Sequence, residues 1–407
     1  MAKRNKASLE QSDEVGAVSA QAVSEQVVAE QAGAEREAAD TADAESSQSG
    51  TSEGTDHFTY RYTPEVAEFL EAIGASILVS TYQAGKLAVF RSNQKRLSML
   101  PRTFDQAMGI AVAPGRLAIA SKFQVWTLRN SLSVAKRLNE SDDFKSERAY
   151  DACYMPRSSH VTGNIDAHEM AWGAGDDELW IVNTSFSCLC TLDPKFSFVP
   201  RWRPPFVSEI SRGDRCHLNG LAMEDGRPRF VTCFGQTDSK EGWRENKLDG
   251  GCIVDVPSGE VVTTGLSMPH SPRLHDGKLW VLDSGRGQLL TVDVDSGKTQ
   301  TVIELPGYTR GLAFAGRYAL IGLSKIREKA VFGGVPVEEK YPDRPCGIAI
   351  VDTVAGRQVG QIEFLASVRE VFDVQLLPGA RWPAVTGLEK ELVQQSSVVG
   401  PERGLDS

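Results

Sequence analysis

One short theme recurs along this chain and leaves few architectures open to it. Its fullest copy is MPHSPRLHDGKLWVLDSGRGQLLTVDVDSG, from Met268 to Gly297. Ser271 to His275 reads as a short strand, Asp276-Gly277 as a tight turn and Lys278 to Asp283 as a strand rich in β-formers. Ser284 to Gly287 reads as a second turn, Gln288 to Val294 as an alternating strand, and Thr299 to Leu305 as a fourth strand. Four short strands cannot bury both of their faces alone, so the unit needs neighbours of the same kind.

Those neighbours are MGIAVAPGRLAIAS from Met108, HEMAWGAGDDELWIVN from His168, NGLAMEDGRPRFVTCF from Asn219 and RGLAFAGRYALIGLS from Arg310. A further inner strand, Val371 to Leu377, has no second strand after it, while SILVSTYQAGKLAVF, Ser76 to Phe90, has second and third strands without an inner one. If the last strand completes the first sheet, the ring closes and open sheet edges disappear. The chain is therefore expected to be all-β, a six-bladed β-propeller closed by a C-terminal inner strand. A two-sheet sandwich also has many short alternating strands, but the repeat period and the split first blade favour the ring.

The chain begins differently. Residues 1–56 carry 4 Lys or Arg against 12 Asp or Glu, −8 of the formal net charge of −10, which leaves −2 for the remaining 351 residues. Such an Ala/Glu/Ser-rich segment buries too little apolar surface to offset its ordering entropy and is expected to be a disordered tail. Residues 57–75 form a short helical lead-in, with Thr63 as cap, Pro64 in the first turn, an apolar face of Val66, Phe69, Leu70 and Ile73, and Gly74 as stop. The propeller spans 76–387, and 388–407 is expected to trail away as a flexible segment.

Lys3, Arg4 and Lys6 are followed by no apolar core of a signal peptide, and no run has the length of a membrane span. Seven scattered cysteines without a CxxC argue against a zinc knuckle or redox dithiol. These features are read as a protein of the cytoplasm that does not engage a membrane. A nearly neutral folded body without a dense basic stripe argues against nucleic acid as a partner.

In a propeller, residues that lead into the inner strands share one channel mouth. Five of the six histidines lie near such positions: His160, His168, His217, His270 and His275. His168, His217 and His270 are the expected donors to a divalent transition metal such as zinc, iron or copper. His160, Glu169, His275 and Asp283 are the expected catalytic acids, bases or orienting groups. The alternative is that the histidines join backbone hydrogen-bond networks or touch a ligand without metal. Arg157, Arg215, Arg273, Arg310 and Arg369 also flank inner strands, and guanidinium groups clamp carboxylate or phosphate. Salt bridges to Asp214, Asp283 and Glu370 are the plainer account of some of them.

Gly285-Arg286-Gly287 lies between strands and is too short for a dinucleotide fingerprint, so no nucleotide cofactor is expected. Trp126, Trp172, Trp180 and Trp280 are expected to pack blades. Trp202 and Trp243 fall in longer loops and are expected on an exposed recognition surface, with the loop Gly235 to Gly250 overhanging the mouth.

His217-Leu-Asn219-Gly220-Leu-Ala222 and Leu279-Trp-Val281-Leu-Asp283 resemble strands of the gluconolactonase and strictosidine-synthase-like propellers. More closely, the body from Ser76 to Pro378 is similar to an uncharacterised bacterial family of propellers. The gluconolactonase resemblance implies a divalent ion in the channel with Asn219 among its ligands, whereas His168, His217 and His270 depart from that acidic and carboxamide set. The sequence thus reads as a His/Arg-lined channel mouth that binds a small anionic or peptide-derived ligand, with metal-dependent hydrolase, lyase or isomerase chemistry as its enzymatic form. The other reading is a non-enzymatic scaffold whose loops recognise a protein partner.

Overall fold

The turns of the repeats use residues that tolerate a left-handed backbone. Asp276 and Gly277 have φ of 49° and 70°, and Asp225 and Gly226 have φ of 49° and 72°. That pair of conformations matches the twist of a two-residue hairpin and fixes the register on either side. Thus Leu274 pairs with Leu279, and Glu224 with Arg227.

In a computed structural model, the described residues are 58–141, 146, 148–175, 177–325, 332–387, 393, 394 and 396–400. The expected acidic tail, His57 and most of the expected C-terminal tail lie outside them. The hairpins assemble into six sheets whose inner strands touch in a closed cycle. Blades 3, 4 and 5 are formed in simple order, from Ala167–Trp172, Leu218–Glu224 and Pro269–His275 outwards. Blade 2 starts at Ile110–Ala113, and blade 6 starts at Tyr308–Ala315. Blade 1 takes Ala75–Thr81, Lys86–Asn93 and Arg96–Thr103 from the start of the ring and its inner strand, Asp373–Pro378, from the end. Ser80 pairs with Asp373 and Ala75 with Pro378, the closure expected from the split first blade.

Two short strands that the repeats do not announce extend this closure. Tyr60–Tyr62 adds to the outer edge of blade 6, antiparallel to Arg357–Phe364. Pro383–Val385 runs parallel to Ala152–Val161 at the outer edge of blade 2. Between the first of these and blade 1, helix α1, Pro64–Ile73, buries Val66, Ala67 and Leu70 against blades 1 and 6. Gly74 ends it in the left-handed conformation. Thr63 does not cap the helix with its side chain. Its hydroxyl instead accepts the Gln361 N–H at 3.2 Å, which ties the helix start to blade 6.

Apolar side chains fill the layers between blades. Leu78, Leu87 and Val89 of blade 1 meet Leu117, Ile119 and Leu128 of blade 2, all fully buried. All seven cysteines are buried and free. At three of the six blade boundaries a side chain near the channel accepts an inner-strand amide from the next blade. Asp373 accepts Ile110 N–H at 2.9 Å, Glu169 accepts Leu221 N–H at 2.8 Å, and Ser271 accepts Gly311 N–H at 3.1 Å. These bonds fix three of the inner strands to their neighbours along the channel.

Candidate functional site

Asp166, His217 and Met268 immediately precede the paired starts of three consecutive inner strands, at Ala167, Leu218 and Pro269. Their φ values of 48°, 47° and 51° show one shared left-handed step. Two residues further on stand His168, Asn219 and His270. His168 and His270 are therefore equivalent, whereas His217 sits two residues earlier in register than either. All three histidines nevertheless line one cavity of about 210 Å³, together with Tyr82, Met108, Asp166, Tyr308, Arg310, Ser324, Lys325, Phe332, Glu370 and Phe372.

The hydrogen bonds fix the tautomers. His168 Nδ1 lies 3.0 Å from the Asp166 carbonyl and 2.8 Å from Thr184 Oγ1, and the Thr184 hydroxyl itself donates to the Leu218 carbonyl. A carbonyl only accepts, so Nδ1 carries the proton and Nε2 keeps its lone pair. His270 repeats the arrangement with the Met268 carbonyl at 3.1 Å and Ser284 Oγ at 2.9 Å. His217 Nδ1 donates instead to Asp214 Oδ2 at 2.7 Å, and the same oxygen accepts the Trp243 indole N–H at 3.0 Å. Burial first, then the Arg310 charge, holds both His168 and His270 well below the ordinary imidazole range, so both are neutral.

Arg310 supplies the positive charge. Its guanidinium lies over the Phe372 ring at 3.4 Å, and Nη1 bonds Glu370 at 3.2 Å. Nη2 is buried without a hydrogen-bond partner. The Tyr308 phenol, pushed far above its ordinary range by burial, stays protonated and is a donor. The His168 and His217 rings meet edge to face, 5.0 Å between centroids. Phe234, at the position that holds Thr184 in blade 3 and Ser284 in blade 5, stacks on His217 at 4.3 Å and meets the His270 ring edge-on at 5.1 Å. Among the described residues, no group of three or more His, Cys, Asp or Glu is arranged to hold a metal ion.

The structure places the other expected site residues elsewhere. His160 is on the outer strand of blade 2, where Nε2 bonds the Phe196 and Ser197 carbonyls at 2.9 and 3.0 Å, and Arg157 is exposed on the same strand. His275 ends its inner strand five residues from His270, about 17 Å along the strand, and bonds the Gly316 carbonyl at 2.6 Å. Arg215 is engaged by Glu209 at 2.6 Å and Asp238 at 3.0 Å, and Arg369 is exposed. Asp283 accepts the Ser267 N–H and pairs with Arg286 at 2.7 Å. The Asn219 amide is spent on the His217 carbonyl and the Thr232 hydroxyl. Glu169, which is buried, and Arg273, which is half-buried, form an ion pair at 2.9 Å outside this cavity. Trp243 is buried, 1% exposed, and walls His217 at 4.6 Å instead of offering a recognition surface. Trp202 is half-buried among the residues of blades 3 and 4. Of the residues that the repeats left unmarked, Tyr82, Tyr308, Phe372 and Asp214 complete the site; for Tyr308, Phe372 and Asp214 the signal is an aromatic or acidic residue at or just before an inner-strand start, whereas Tyr82 follows the second strand of blade 1.

Residues 64–386 match a family model described as a domain of unknown function (DUF4915). The chain belongs to that family. The DUF4915 region thus takes in every residue of the cavity. No curated protein matches the chain. Among solved structures, the nidogen/laminin complex matches with 8% identity and a TM-score of 0.49, over 75% of this chain and 100% of that one. A protein of unknown function from Bacteroides caccae matches with 11% identity and a TM-score of 0.47, over 75% and 99%.

Proposed function

We propose that the cavity binds a small organic anion that also carries hydroxyl or amine donors, a class that includes peptide-derived acids. The observation that supports this is the half-buried Arg310 guanidinium, whose buried Nη2 lacks a partner while two neutral imidazoles present bare Nε2 atoms to the same cavity. A carboxylate satisfies the guanidinium, and donors on the same ligand satisfy the imidazoles. The gluconolactonase resemblance adds no ligand set here, because Asn219 is already bonded within the protein.

The reading is tested by thermal shift and calorimetry of tag-free protein against a panel of small hydroxy, amino and oxo acids. At least one acid should bind, and Arg310→Met should weaken it at least tenfold. Equal affinity for the acid in Arg310→Met, or no binding by any acid, would overturn the anion site. If no acid binds while substitutions on exposed loops change a protein interaction, the scaffold reading replaces it.

A further inference from the structure

The three imidazoles are not alike, and the difference assigns them different work. His168 and His270 give their Nδ1 protons to a carbonyl and a hydroxyl, next to the Arg310 charge. His217 gives its proton to the carboxylate of Asp214, at 2.7 Å. Asp214 Oδ2 carries both this bond and that of the Trp243 indole, and Oδ1 is buried without a hydrogen-bond partner. The His217 ring is also fixed between Phe234 at 4.3 Å and Trp243 at 4.6 Å, faces that tolerate a cation. An imidazole with a carboxylate on Nδ1 and a bare Nε2 toward a cavity is built to accept a proton and to be compensated for the charge.

We propose that His217 is a general base, positioned by Asp214, that removes a proton from carbon next to the carbonyl of a small oxo acid anchored by Arg310. This rests on the anion site described above. An oxo acid carries its own electron sink, so the step needs no co-reactant. The C–H bond breaks and its electron pair moves onto the substrate carbonyl oxygen as an enolate. The proton forms Nε2–H on His217. Tyr308, held protonated, is the donor placed in the same cavity for the enolate oxygen. Return of a proton to the same carbon restores the acid, and in heavy water it returns as deuterium.

The full chain is incubated in D₂O with pyruvate, 2-oxobutyrate or hydroxypyruvate, and C3–H exchange is followed by proton NMR against buffer alone. The expected result is protein-dependent exchange that His217→Gln lowers at least 100-fold while the acid still binds. Asp214→Asn should lower exchange and alter its pH profile while the bound acid is retained, which a merely structural role would not do. Circular dichroism checks the fold of each variant. Exchange equal to parent in both variants, or binding of the acids without exchange, would overturn His217 as base while leaving the anion site intact. Absence of binding by all three acids, with Arg310→Met indistinguishable from parent, would overturn both.

Discussion

Asp373→Asn should flatten the pH dependence of stability in a direction opposite to that of most carboxylates. Asp373 is 2% exposed at the start of the closing strand. Burial first, then the nearby Glu169 carboxylate, pushes it up to about 7 from 3.8, against the opposing pull of Arg273 and of the Ile110 N–H and Gln375 bonds. The folded state therefore holds this proton more tightly than the unfolded chain does. The contribution is fully present below 3.8 and is lost as pH rises towards 7. At 1.36 kcal/mol per pH unit the gap corresponds to about 4 kcal/mol. The asparagine cannot ionise, so it lacks this slope. Its amide N–H₂ meets either the Ile110 or the Val374 N–H, which now donate to the two carboxylate oxygens at 2.9 and 2.8 Å, and this adds a cost that does not vary with pH. The assay is urea unfolding of parent and variant at pH 5, 6, 7 and 8. The difference between them should shift in favour of the variant as pH rises to 7 and then level off. A difference that is constant across that range, or one that moves in favour of the parent, would refute the reasoning.

Other outcomes follow from the same geometry. Glu169→Ala strands the half-buried Arg273 and the Leu221 N–H, and should cost about 2–4 kcal/mol by urea unfolding, whereas Glu169→Met with Arg273→Met should recover most of that. Gly311→Ala puts a Cβ 2.5 Å from Val374 N at φ +79°, where blade 6 meets the closing strand, and should cost more than about 2 kcal/mol by the same assay. The seven buried cysteines should react with a thiol reagent only after unfolding, and added reductant should leave the thermal transition unchanged.

The ring was readable because period-two alternation and Asp-Gly turns are local, and because counting strands left one inner strand spare at the end of the repeats and one missing at their start. The site was readable only in part. Proximity to an inner strand does not say which end of it a side chain occupies, and so His270 at the mouth and His275 at the far end look alike in the sequence. Arg310 lies within its inner strand and lines the cavity, whereas Arg369 is exposed in the loop four residues before the strand Asp373–Pro378, a difference that proximity alone does not show. The pairing of Asp214 with His217 was hidden for another reason. Both residues adopt left-handed φ, 46° and 47°, which no alternation pattern announces. The two edge strands at Tyr60–Tyr62 and Pro383–Val385 are too short to carry a pattern at all.

The split of blade 1 between the two ends of the ring has a consequence for synthesis. Ser80 leaves the ribosome well before Asp373, its neighbour across the closing pair, with about 290 residues between them. At 5–20 residues per second this is a delay of about 15–60 s. During that interval Ile77, Leu78 and Val79 stand in an unpaired strand edge, although all three are fully buried in the finished ring. Nascent chains halted before residue 373 should therefore recruit chaperones through this edge, and release should coincide with emergence of the last inner strand.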